Sequence, residues 1–212
     1  VVGIDLAASA TRRTGWARLT GDQVETAPLR TTEEIVAQTL AGTPDLVTID
    51  APLSLPAGRG CARDDCACRR FGITRRAERE LRRRGIGVFW CLLPSMQALT
   101  LRGMDLAATF RAHDIPVLEV YPGAAQDLLG IPRKRAGLDQ LHAGLVRFGV
   151  RGMRDLPAIS HDELDAITAA LVGVFYLVDR YEAVGSEAEG VIVLPAPWDD
   201  RMIFSTSPIA VE

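Results

Sequence analysis

The chain has 212 residues, 48 % of them hydrophobic, and a formal net charge of −3. That length and composition point to one globular domain with room for a full core and one insertion, and they exclude a disordered chain. The weak net charge gives no overall pull towards nucleic acid, so binding of that kind requires a local basic patch. No apolar run reaches the length of a membrane span.

Residues 1–7, VVGIDLA, alternate like a strand, with Gly3 and Asp5 on one face and Ile4 and Leu6 on the other. They lack the basic flank of a signal peptide, which sets the expectation of a cytoplasmic protein. TGWARLT (14–20) and QVETAPL (23–29) read as two further strands joined by a tight Gly21-Asp22 hairpin. TTEEIVAQTLAG (31–42) is an amphipathic helix, capped by Thr31 or Thr32 and closed by Gly42. DLVTIDAP (45–52) is a short apolar run ending at Pro52, as a strand buried on both faces does.

Residues 53–93 then read as an insertion. Its first part is rich in Gly, Cys and charge. Cys61, Cys66 and Cys68 follow a C-x4-C-x-C spacing that is not a standard zinc knuckle. The favoured reading is reduced thiols in a tight loop. The alternative is a small structural zinc site at Cys61, Cys66 and Cys68, completed by Cys91 or a histidine. TRRAERELRRRG (74–85) is a strongly basic helix ended by Gly85. Arg82, Arg83 and Arg84, with Arg69, Arg70, Arg75, Arg76 and Arg79, surround two acids, Glu78 and Glu80. They form either a solvated helix with local Glu–Arg pairs or a patch that tracks a phosphate backbone.

One or two helices are expected in 94–114, a strand in IPVLEVYP (115–122), and a helix in 138–149. PRKR (132–135), which includes Lys134, is a second basic candidate on the loop before that helix. A last helix runs from about 161 to 181, and GVIVLP (190–195) is a late strand. Residues 1–197 form the domain, and 198–212 are an unassigned tail. Three hairpin-connected strands followed by two strands that each come after a helix give a mixed five-stranded sheet with helices on both faces.

The last helix starts with SHDELDA. Ser160 and Glu163 fit a capping box, and Asp162 suits the positive end of the helix dipole. Neither reason covers Asp165, one turn on. With strands one and four adjacent and this helix across them, Asp5, Asp50, Asp162 and Asp165 converge, with Glu119 as an outer member. Each acid has a plainer reading, such as Asp50 as a turn former before Ala51-Pro52. Together they suit Mg²⁺ or Mn²⁺, hard cations that take oxygen ligands and assist displacement at phosphorus. His161 stands beside them as a rim group for a proton or a phosphate.

The order of elements and acids resembles the ribonuclease H-like superfamily, and DELDA (162–166) is similar to the paired-acid helix of its Holliday-junction resolvase branch. GIDLAAS, TGWA, TIDAPLSLP, RRRGI, EVYPGAAQDLLGIP and SHDELDAITAALVG resemble a family of predicted nucleases of that fold, over about residues 2–195. The resemblance implies a metal-dependent nuclease acting on DNA or RNA, with Asp5, Asp50, Asp162 and Asp165 as ligands. A resolvase-like role further implies a homodimer. Resolvases of this type commonly carry Glu where this chain has Asp50, and the Cys-rich insertion has no counterpart in the minimal fold. Two other classes stand beside this expectation. A non-catalytic nucleic-acid-binding module would use the arginine helix. An actin-like phosphotransferase is disfavoured, because IDAP lacks the glycine of a phosphate loop.

Overall fold

The computed structural model describes residues 1–196; the expected tail, 198–212, lies outside the described residues. The strands are β1 (Val2–Asp5), β2 (Thr14–Thr20), β3 (Gln23–Leu29), β4 (Val47–Asp50), β5 (Val117–Val120), β6 (Tyr181–Ser186) and β7 (Gly190–Pro195). The helices are α1 (Thr32–Ala41), α2 (Arg76–Arg83), α3 (Gln97–Arg111), α4 (Pro122–Leu129), α5 (Leu138–Arg147) and α6 (His161–Leu177). Two short 3₁₀ turns lie at Ala67–Phe71 and Lys134–Ala136.

All seven strands form one mixed sheet in the order β3-β2-β1-β4-β5-β7-β6. β1 and β4 are parallel, as are β4 and β5, and β5 and β7; the two hairpins at the edges are antiparallel. The expected five strands are thus corrected to seven. The last helix stops at Leu177 instead of about 181, and β6 follows it. The apolar period runs on through Val178 and hides the stop. Asp179, at φ 55°, makes the left-handed turn that releases the chain, a conformation Asp tolerates better than most residues.

A second correction is α4, absent from the sequence reading. Its signals were present: Pro122 in the first turn and Gly130 in the left-handed region behind it.

The two faces of the sheet are covered differently. On one, Val2 and Ile4 of β1 and Ile49 of β4 pack against Ile35 of α1 and Leu106 and Phe110 of α3. On the other lies α6, buried along most of its length between the sheet and a layer containing Ile131, Leu141 and Leu145. The larger residues of α6, such as Leu164, Ile167 and Leu171, join that second layer's core. The residues facing the sheet are small, and so are those beneath them. A Cβ on Gly3 would fall 2.1 Å from the carbonyl oxygen of Ala166, and one on Gly15 1.9 Å from that of Asp162. Both are impossible approaches, so the two glycines set how closely α6 lies over β1 and β2.

The insertion between β4 and α3 has α2 as its main element, packed against β6. The β6–β7 turn ties it down: Glu189 accepts hydrogen bonds from the backbone N–H groups of Ala57 (3.0 Å) and Arg76 (2.5 Å).

Candidate functional site

β1 and β4 each end in an aspartate, and the parallel register sets Asp5 directly beside Asp50. Ligand sites in open α/β sheets lie at such carboxyl ends. Period-two alternation turns both side chains, with Gly3 and Thr48, towards α6. The start of α6 is fixed by the capping box read from the sequence. The Ser160 hydroxyl accepts from the Glu163 N–H (3.3 Å), and Glu163 accepts from the Ser160 N–H (3.0 Å). Arg154 pairs with Glu163 from outside. Burial works to raise the Glu163 pKa, but the Ser160 hydrogen bonds and Arg154 outweigh it and hold the carboxyl low. Glu163 therefore serves the helix end, and Asp162 and Asp165 are left to face the strands.

Asp165 is held on both sides. Gln126 of α4 donates to its Oδ1 at 2.8 Å and reaches Thr168 at 3.2 Å. Lys134 approaches its Oδ2 at 3.4 Å. Gln126 went unnoticed in the sequence because its helix did. Lys134, expected as a phosphate contact, is the counter-ion of Asp165. Burial first, then Asp50, Asp165 and Asp162, push the Asp5 pKa well above the carboxylate range, while Lys134 pulls it back. Asp50 is pushed up to about 8 by burial and by Asp165, again opposed by Lys134. Both shifts mark negative charge gathered with too little positive charge to balance it.

A cleft of about 260 Å³ opens between Asp5, Leu6, Ala7, Arg12, Arg13 and Asp162. Its floor, the β1–β2 loop, is pinned by Arg102, which donates to the Ala7 carbonyl at 2.6 Å, and by the Ala7 N–H bonded to Thr14 at 3.0 Å. Arg12 and Arg13 are exposed at the rim. The sequence reading passed over them because two arginines in a short loop carry no periodic signal. A larger hollow, about 430 Å³, lies at the opposite end of β1 around Val1, Arg18 and Asp45, and holds no comparable grouping.

Glu119 does not join the aspartates. Its register partner on β4 is Ile49, so alternation turns it to the face opposite Asp50. There both its oxygens take Arg75, at 2.5 and 2.7 Å, and one also accepts the Leu53 N–H at 2.8 Å. Arg82, Arg83 and Arg84 are also remote. Their helix lies on β6, three strands along from β4, or roughly 14 Å at ~4.8 Å per strand. Arg84 is bound to Glu80 and Glu182, both at 2.6 Å, and Arg82 stacks over Trp90. His161 is exposed on the first turn of α6, beside Asp162.

Among the described residues, one group of three or more potential ligand side chains has all its ligand atoms within 4.8 Å: Cys61, Cys66 and Cys68. The four aspartates face one another more loosely than that. The thiols can hold a soft metal such as zinc. Cys66 and Cys68 are 3.1 Å apart, and their hydrogen bond raises the Cys66 pKa and lowers that of Cys68 to about 7. No helix among the described residues is long and apolar enough to cross a membrane.

An α/β domain with a mixed sheet, acids at the ends of adjacent parallel strands and a helix pressed across them is the class defined so far. The chain belongs to the family described as Protein of unknown function (DUF429), whose match spans residues 3–190. No curated protein and no solved structure matches it.

Proposed function

We propose that the chain is a divalent-metal-dependent nuclease of ribonuclease H-like type, hydrolysing phosphodiester bonds. The observation that supports this best is the in-register pair Asp5 and Asp50, with Asp162 and Asp165 brought over it from α6. Partly buried carboxylates gathered in one place repel one another, and a fold keeps such a set when a cation is to be held. The donors are all oxygen, which suits Mg²⁺ or Mn²⁺. Their present spacing is wider than one ion's shell, so the aspartates would draw inward around it. Bound there, the metal would lower the pKa of an attacking water and balance charge on the phosphate. Gln126 would keep Asp165 oriented, Lys134 would withdraw from its carboxylate towards the substrate, and Arg12 and Arg13 would hold phosphate oxygens at the rim.

The same geometry supports a second reading. Lys134 already stands where a cation is wanted, as expected of a non-catalytic nucleic-acid-binding module whose ammonium permanently balances the acids. A cleavage assay separates the two. End-labelled single-stranded, duplex, hybrid and branched DNA and RNA are incubated with Mg²⁺ or Mn²⁺ and wild-type or Asp50→Asn protein. Metal-dependent cutting that falls to background in the variant is the expected outcome. Binding without cutting favours the module, and cutting that survives Asp50→Asn places the chemistry elsewhere.

A further inference from the structure

The insertion raises a separate question, independent of the nuclease reading. Between Gly60 and Thr74 Ala62 is the one buried side chain, and its local core is little more than Ala62, Cys91 and Leu92 with Leu55 and Ile73 at the margin. A segment of this length with so little apolar burial needs a staple of another kind. Ion pairs are present, Arg63 with Asp65 and Arg69 with Asp64, but they are exposed and worth little.

What the loop does bring together is sulfur. Cys68 Sγ lies 3.1 Å from Cys66 and 3.5 Å from Cys61. Zinc–sulfur bonds of about 2.3 Å in a tetrahedron put sulfurs about 3.8 Å apart, so Cys68 would move away from Cys66 by about 0.7 Å and from Cys61 by about 0.3 Å. A disulfide would use two sulfurs and leave the third over, whereas the fold converges all three. Cys91, the fourth cysteine, is kept apart, buried and donating to the Ile73 carbonyl.

The same segment holds a buried cation. Arg59 is 7 % exposed and donates to the carbonyls of Cys61 (3.0 Å) and Arg63 (3.1 Å), and its Nη1 has no hydrogen-bond partner among the described residues. An unpaired buried guanidinium is costly unless an anion is near. Asp64 is close enough to Arg59 to feel its charge but does not bond it, and three thiolates on Zn²⁺ would add one net negative charge to the same segment.

We propose that Cys61, Cys66 and Cys68 bind a single zinc ion through three thiolates, with Arg59, bonded to the Cys61 carbonyl, as a positive charge in the same segment and the fourth position open to water or an added ligand. Among the described residues no fourth side chain joins the group, and Asp64 and Asp65 are committed to Arg69 and Arg63. Binding releases three thiol protons, and the ion replaces the missing apolar core as the staple of the loop.

The test uses the whole chain, purified under reducing conditions without chelator. Elemental analysis is expected to find one zinc per chain. Exchange for Co²⁺ should give a thiolate-to-metal charge-transfer band, which carboxylate-bound cobalt lacks, and imidazole should shift the visible bands by entering the fourth position. Cys66→Ser and Cys68→Ser should each lose the band. Chelation should open 60–74 to protease while leaving the sheet's circular dichroism unchanged. Reduced wild-type protein that takes up neither zinc nor cobalt at this band would overturn the proposal, as would a band that survives both variants, or a native disulfide among the three cysteines.

Discussion

Two groups of acids sit on neighbouring strands and have opposite surroundings. Glu119 of β5, with Glu78 of α2, encloses the fully buried Arg75; Glu78 Oε1 lies 2.6 Å from the guanidinium, and Ser54 accepts from it at 2.7 Å. Every charge there has a partner. Asp5 and Asp50, on the other face, have each other, two more aspartates and the half-exposed Lys134. A fold that could supply one acid grouping with a buried arginine has left the other short of positive charge. The difference separates acids that hold the insertion to the sheet from the acids that the proposed function assigns to a metal ion.

The largest effect should come from breaking the balanced group. Arg75→Met removes the shared cation and leaves Glu119 and Glu78 buried and unpaired, which should destabilise the protein by about 3–5 kcal/mol. Urea unfolding would measure it, and a variant within 1 kcal/mol of wild type, roughly the effect of an ordinary substitution, would mean the network is far better solvated than its burial implies. Next comes the device that holds the unbalanced group together. Gly15→Ala forces a methyl against the Asp162 carbonyl and must lift the start of α6. The expected loss is about 1–3 kcal/mol from overpacking. Metal-dependent cleavage should fall further than that loss of stability accounts for, because Asp162 and Asp165 move with the helix. Equal activity per folded molecule would show that the placement of α6 is not what assembles the acids.

The acids themselves were legible because aspartate is out of place in a strand and three acids are too many for one helix end. The adjacency of β1 and β4 followed from connection rules alone. Glu119 was misplaced for want of a register: once Asp5 pairs with Asp50, the residue level with Asp50 on β5 is Val120, and Glu119 must turn away. Gln126 could not be read, since an amide in an amphipathic helix gains its role only when another helix lays Asp165 beside it. The glycines at 3 and 15 carry no signal of their own in a strand, because their meaning depends on a backbone more than a hundred residues distant. The arginine run was the loudest signal and the least informative, because charge density along a sequence does not say which edge of a sheet it will decorate.

The pH dependence of stability is the most direct probe of the unbalanced group. Asp50 is raised from its ordinary 3.8 to about 8 in the folded protein. Between those values the folded chain holds a proton that the unfolded chain has released, so stability falls as pH rises. This contribution is intact below about 3.8 and has been given up once pH passes 8. Asn at position 50 is neutral throughout. Asp50→Asn should therefore match wild type near pH 4 and exceed it in melting temperature by a margin that widens towards pH 8, in metal-free buffer. Adding Mg²⁺ at pH 8 should raise wild type alone and close the gap. Lys134→Met sharpens the test, since removing the cation that lowers both raised pKa values should steepen the wild-type decline. If the two melting curves instead run parallel across this range, Asp50 is ionised at no cost. The contrast with the Arg75 group would then reflect solvent access rather than a site held ready for a cation.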